Sequence, residues 1–204
     1  MEFPDRLGLP RATAGQAVLR KEIPAKYKDL QFLGGGNTSV ILAKDEETAL
    51  VFTRDRMKAE WLLTEWGLGL GKHIEEFEGH LHPDEAARAL NIIVVEMPRL
   101  YPLETKNRIA VRKEVFEFQR VMDKIRSRSS TDKLNELTEW YEENKPDSRF
   151  ARLFEFLSNY SDEDINFDIA TRQFLQTKSG EIVMVDPVAS RDVLDVINQT
   201  GKRR

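Results

Sequence analysis

Cysteine is absent from the 204 residues, which excludes disulfides and thiolate chemistry and is compatible with a reducing cytoplasm. No apolar run approaches the length of a membrane span. The opening Met1-Glu2-Phe3-Pro4-Asp5-Arg6 lacks the basic-then-apolar order of a secretory leader, so the expected location is cytoplasmic, with no membrane partner. Neither sign of charge dominates. Lys and Arg total 31 against 35 Asp and Glu, a net charge of −4, which argues against a nucleic-acid coat. The basic Gly201-Lys202-Arg203-Arg204 end is too short to change that balance.

What is present is a well-solvated chain with enough hydrophobic content, 40%, for a packed core. Residues 1–28 carry Pro4, Pro10 and Pro24 and read as an N-terminal arm with a short helix near 15–21. From 29 to 53 three apolar runs are separated by Gly34-Gly35-Gly36-Asn37 and by Lys44-Asp45-Glu46-Glu47, the pattern of three antiparallel strands. Met57, Trp61, Leu62 and Leu63 predict a helix over 55–70, ended by Gly67, Gly69 and Gly71. Pro83-Asp84-Glu85 suits a helix start. Ile92–Met97 is a buried strand stopped by Pro98, and Met97–Pro102 reads as a hinge.

Beyond the hinge, helical spacing returns in three sets: Val111, Val115, Phe116, Phe118 and Val121; Leu134, Leu137, Trp140 and Tyr141; Phe150, Leu153, Phe154, Phe156 and Leu157. Phe174-Leu175 and Ile182–Val185 predict a hairpin across 177–180, and 192–198 can close the chain as a helix. The fold class is α+β, with a sheet-rich lobe over 29–97, a mostly helical lobe over 98–200 and a basic tail at 201–204.

Three features carry chemistry. Gly34, Gly36 and Ser39 give the spacing G-x-G-x-x-S in a strand–turn–strand context, where backbone can approach phosphate oxygens; an ordinary glycine-rich hairpin has the same look. Asp168 follows apolar Ile165 and Phe167, and a carboxylate there can orient an attacking hydroxyl or simply face solvent. Asp186 ends the apolar run Ile182–Val185, where a charge needs a metal, a base or a turn as partner. His80, His82 and Asp84 alternate as weaker metal candidates.

The order of glycine loop, apolar strand, Glu96-Met97 hinge, Asp168 with an amide five residues on, and Val185-Asp186 after a hairpin resembles the protein-kinase fold. In particular, Asp186-Pro187 resembles the early, host-shutoff serine/threonine kinases of short-tailed bacteriophages, which carry Asp-Pro where most kinases have Asp-Phe-Gly. The resemblance spans roughly 29–190 and implies a minimal two-lobed kinase using ATP and Mg²⁺ on a host protein in an infected cell. It implies that Gly34, Gly35, Gly36 and Ser39 cover phosphates, Ala49 roofs the adenine, and Glu96 and Met97 offer hinge backbone. It implies Asp168 as the catalytic aspartate and Asp186 and Gln173 as metal ligands.

Several positions depart from that pattern. Val51 stands where the third strand should carry a phosphate-pairing lysine, and Arg54 and Lys58 are the nearby cations. Glu60 or Glu65 is the expected helix acid. Phe167 replaces the arginine before the catalytic aspartate, Gln173 is longer than the family's asparagine, and few residues follow Asp186. These departures suit a pseudokinase-like scaffold that acts by binding; an unrelated α+β domain also fits the sequence.

Overall fold

The computed structural model describes residues 19–36, 38–64, 69–79, 91–126, 129–160, 165–167 and 169–190. The chain is mixed α+β. Strands β1 (Phe32–Gly35), β2 (Ser39–Ala43), β3 (Thr48–Thr53), β4 (Lys72–Phe77) and β5 (Ile92–Pro98) form a five-stranded antiparallel sheet in the order β1-β2-β3-β5-β4. Helix α1 (Arg56–Leu63) joins β3 to β4. It is shorter than its apolar pattern predicts. Thr64 takes extended backbone at its end, and the Gly71 N–H reaches Leu62 O at 2.9 Å.

Strand alternation splits the sheet's side chains between two cores. Val51, Val95 and Met97 face inward and pack with Met57, Trp61 and Leu62 of α1. Val40, Leu42, Leu50, Phe52, Ile92 and Val94 face outward, yet are buried because Leu19 and Ile23 lie on them, with Tyr27 and Leu30 packed alongside. From Leu19 onward the N-terminal arm therefore docks on the outer face. Residues 19–22 are helical, close to the short helix expected at 15–21. Lys26 and the Tyr27 hydroxyl both bond Glu75 on β4, at 2.8 and 2.6 Å.

Strand β4 has no counterpart in the sequence reading. Its six residues, Lys-His-Ile-Glu-Glu-Phe, are largely exposed and half of them charged, which is the composition of a sheet edge. Strand β5 also runs one residue past its expected end. Pro98 sits opposite Thr48, at the margin of the sheet where a missing N–H costs little.

Past β5, Tyr101 exchanges backbone hydrogen bonds of 2.8 and 2.9 Å with Gln176, tying the link to the far end of the chain. Three helices follow: α2 (Thr105–Met122), α3 (Ser130–Asn144) and α4 (Arg149–Leu157). Ser129 and Ser148 cap the second and third by accepting from Asp132 N and Ala151 N. Phe118 stacks on Phe150 at 5.1 Å, and Tyr141 and Phe154 close the aromatic centre of the same core that underlies the sheet. Phe116, grouped with this set by spacing, instead points outward and is 63% exposed. Two small ladders complete the described chain: β6 (Ile165–Phe167) with β9 (Val188–Ser190), and the expected hairpin of β7 (Phe174–Gln176) with β8 (Ile182–Met184). Among the described residues no helix is long and apolar enough to cross a membrane. The helices expected at 83–85 and 192–198 lie outside the described residues.

Candidate functional site

The glycine run enters the sheet rather than forming a wide loop. Gly34 and Gly35 are β1 residues opposite Ile41 and Val40, and the Gly36 N–H closes the turn on Ser39 O at 3.1 Å. The other end of the turn is fixed by β3. Thr38 O accepts from the Arg54 N–H at 3.0 Å and from the Thr53 hydroxyl at 3.2 Å. The Thr53 hydroxyl in turn accepts from the Asp55 N–H at 3.1 Å, and the Asp55 carboxylate caps α1 by accepting from Lys58 N at 3.2 Å. One short relay of bonds thus fixes the glycine turn relative to the first turn of α1.

That turn of the helix delivers a cation. Lys58 lies one turn before Trp61 and Leu62, on the buried side of α1, and is only 5% exposed. A buried ammonium needs acceptors. Its Nζ donates to Ser39 Oγ at 2.8 Å and stands 2.8 Å from Asp186 Oδ2. The same carboxylate oxygen lies 3.5 Å from where a Cβ on Gly36 would be, so Asp186 stands in contact range of the turn. Gly36, Ser39, Lys58 and Asp186 therefore share one site, built from three distant parts of the chain.

Asp186 is held from both sides. Trp61 Nε1 donates to Met184 O at 2.7 Å, which locks α1 against the end of β8. The Val185 N–H donates to Gln173 O at 2.8 Å, so residue 173 is bonded to the neighbour of Asp186. A hydrogen-bonded helix on one side and a bonded 3-10 turn (Thr171–Gln173) on the other fix the main chain that leads into Asp186.

Ala49 and Met97, expected at the base end of a nucleotide, are buried opposite each other on β3 and β5. Ala49 shares the inward face with Val51 and Thr53, and Thr53 pairs with Ser39. Four residues of strand, about 13 Å, separate the two ends. Glu96 pairs with Leu50 in the ladder, and its side chain forms an ion pair with Lys44.

Of the two cations near the missing strand lysine, only Lys58 enters the site. Arg54 turns the other way. Its guanidinium is fully buried against the arm, with Nη2 2.6 Å from Glu22 Oε2, and burial pulls its pKa below the ordinary guanidinium value while Glu22 pulls back. Val51 fills the inner core where the lysine was sought. Glu60 does not meet Lys58; it bonds Arg56 at 2.7 Å and the Tyr160 hydroxyl. Asp168, Glu65, His80, His82 and Asp84 lie outside the described residues.

A cavity of about 390 Å³ opens elsewhere, among Trp61, Glu114, Tyr141, Arg149, Phe150 and Met184, and none of Gly36, Ser39, Lys58 or Asp186 lines it. The Tyr141 hydroxyl is buried there without a hydrogen-bond partner among the described residues. No family model, curated protein or solved structure matches this chain.

Proposed function

We propose that the chain is a minimal two-lobed, protein-kinase-like protein that binds ATP and Mg²⁺ and transfers a phosphoryl group to a Ser or Thr hydroxyl of a host protein. The observation that carries this reading is Lys58, a buried ammonium bonded at once to the glycine turn and to Asp186. Phosphoryl transfer relies on positioned positive charge around the phosphates, and kinases supply part of it from a strand lysine. Here Val51 occupies that strand position, and the helix supplies the cation instead.

The remaining parts fit the same reading. The main chain of Gly34, Gly35 and Gly36, bare of side chains, would let phosphate oxygens come close beside Ser39. Ala49, with Met97 and Glu96 on the neighbouring strand, would receive the base about 13 Å away along the sheet. In chain order the sheet comes before the link after β5 and the long helices come after it, the order expected of a two-lobed kinase. In sequence Asp168 directly follows Phe167, which pairs with Val188, two residues beyond Asp186. In the reaction, the substrate oxygen bonds the terminal phosphorus, the bond to the ADP oxygen breaks, and Asp168 takes the hydroxyl proton.

Mg²⁺ suits the donor set. It binds through one or two carboxylates plus phosphate oxygens rather than a dedicated cage. The absence of any cluster of three His, Cys, Asp or Glu among the described residues is therefore no obstacle. Asp186 would hold the ion, with Gln173 next to it, and the ion would neutralise charge on the bridging phosphates. The host-protein target and a cytoplasmic setting rest on the phage-kinase resemblance.

A second reading is a pseudokinase that acts on the host protein by binding alone. The Lys58–Asp186 pair favours it, because each charge is already satisfied by the other and a metal must compete with an ammonium. A thermal shift separates the readings. ATP with Mg²⁺ at a hundredfold above its dissociation constant adds about 2.7 kcal/mol of stability. That corresponds to roughly 5–11 °C for a chain of this size. The shift is expected in wild type and lost in Lys58→Met. Labelled phosphate reaching Ser or Thr of a host protein in wild type, but not in Asp168→Asn, identifies the kinase. A shift without transfer identifies a nucleotide-binding pseudokinase, and no shift at millimolar nucleotide removes the kinase reading.

A further inference from the structure

Among the large apolar side chains of the described residues, Ile109 and Phe116 are the most exposed, at 52% and 63%. They stand two turns apart on the outward side of α2, opposite buried Val111, Val115 and Phe118. Lys106, Arg112, Lys113 and Arg120 surround them on the same side. None of these four cations forms an ion pair among the described residues. A protein of net charge −4 thus concentrates unpaired positive charge around two bare apolar side chains.

The neighbouring helix carries the opposite pattern. On α3, Asp132, Glu136, Glu139 and Glu143 follow one another at i+4, i+3 and i+4, with part-exposed Trp140 at the edge of the stripe. The bridge between the two helices, Lys145 to Glu117, has the reverse polarity and joins neither stripe. Each stripe is several helical turns long, so each fits the other in length as well as in sign.

We infer that these are the two halves of one contact: the apolar, cationic face of α2 in one copy of the chain docks on the acidic, Trp140-edged face of α3 in a second copy. Burial of Ile109 and Phe116 supplies the attraction, and the charges set orientation and exclude like faces. The faces differ, so a dimer forms if a two-fold axis pairs both at once, and longer chains form if it does not.

Sedimentation velocity across concentration and salt tests this. Wild type is expected to self-associate at low ionic strength and dissociate as salt rises. Lys113→Glu with Arg120→Glu, and separately Glu139→Lys with Glu143→Lys, are each expected to weaken association about tenfold or more, because attraction becomes repulsion at two positions. An equimolar mixture of the two variants restores it. Ile109→Ser with Phe116→Ser abolishes association while far-ultraviolet circular dichroism stays native. A wild type that is monomeric throughout overturns the inference. So does an apolar double variant that associates like wild type, or a charge-swapped mixture that remains monomeric.

Discussion

Replacing Asp186 by Asn leaves the Lys58 ammonium in place and removes its counter-charge. At 2.8 Å the gross attraction, with an effective dielectric constant of about 20, is ~6 kcal/mol. Desolvation offsets much of it. The Lys58 side chain is 6% exposed and that of Asp186 26%, so the pair stands between a surface bridge and a buried one. Surface pairs contribute about 0.2–1 kcal/mol, and breaking a buried pair costs about 3–5 kcal/mol. The expected coupling is therefore about 2 kcal/mol, from a double-mutant cycle of Asp186→Asn and Lys58→Met. The single changes should be unequal. Asp186→Asn strands a buried cation on Ser39 Oγ alone, whereas Lys58→Met frees a carboxylate that water already reaches. Urea unfolding followed by tryptophan fluorescence measures both, because Trp61 is bonded to Met184, two residues before Asp186. Costs that add within about 0.5 kcal/mol would refute the contact. A Lys58→Met variant less stable than Asp186→Asn would refute the assignment of which partner is the more deeply desolvated.

Gly71→Ala should destabilise the fold by about 1–3 kcal/mol or more, since its Cβ would meet Leu62 O at 2.5 Å and Val95 Cγ1 at 2.8 Å. An unchanged melting temperature would contradict the close approach. Tyr141→Phe should be neutral or stabilising by about 1 kcal/mol, because the hydroxyl is buried and unpartnered and burial pushes its pKa up. Marked destabilisation on urea unfolding would mean that the oxygen has a partner. Hydrogen bonds from Lys26 and then Tyr27 hold Glu75 below its ordinary carboxylate pKa of 4.5. A depressed folded pKa gives stability that is present above the unfolded value and lost as pH falls through the folded one. Wild type should therefore lose more stability than Glu75→Gln as pH drops below 4.5, and parallel urea midpoints in that range would disprove the arm's attachment through Glu75.

The sequence made the periodic elements readable. β2, β3, β5, the three long helices and the hairpin are all marked by apolar residues at the matching period. It failed at β4, because an edge strand in which half the residues are charged has neither alternation nor an apolar run. It misplaced Phe116, since spacing alone does not say which side of α2 faces the core. In the site, the glycine turn and Asp186 stood out by residue type, but nothing local joins residue 36 to residue 186. The useful sign was a lysine three and four residues before Trp61 and Leu62. A cation on an apolar helix face must find an acid, and here it finds one from the far end of the chain. Val51 is apolar because its position on β3 faces the inner core.

The segment laid over the outside of the sheet makes Leu50 and Phe52 as dry as Val51, which explains why β3 shows no polar alternation at all. A version of the protein shortened past Lys28 would bare that greasy plane and, in the same stroke, strip Glu22 from the Arg54 guanidinium just where β3 passes into the cap of α1. Stickiness and a slackened grip on the glycine turn would then arrive together. Residues 19–30 are thus a second wall of the sheet, and laboratory tags are better hung on another surface.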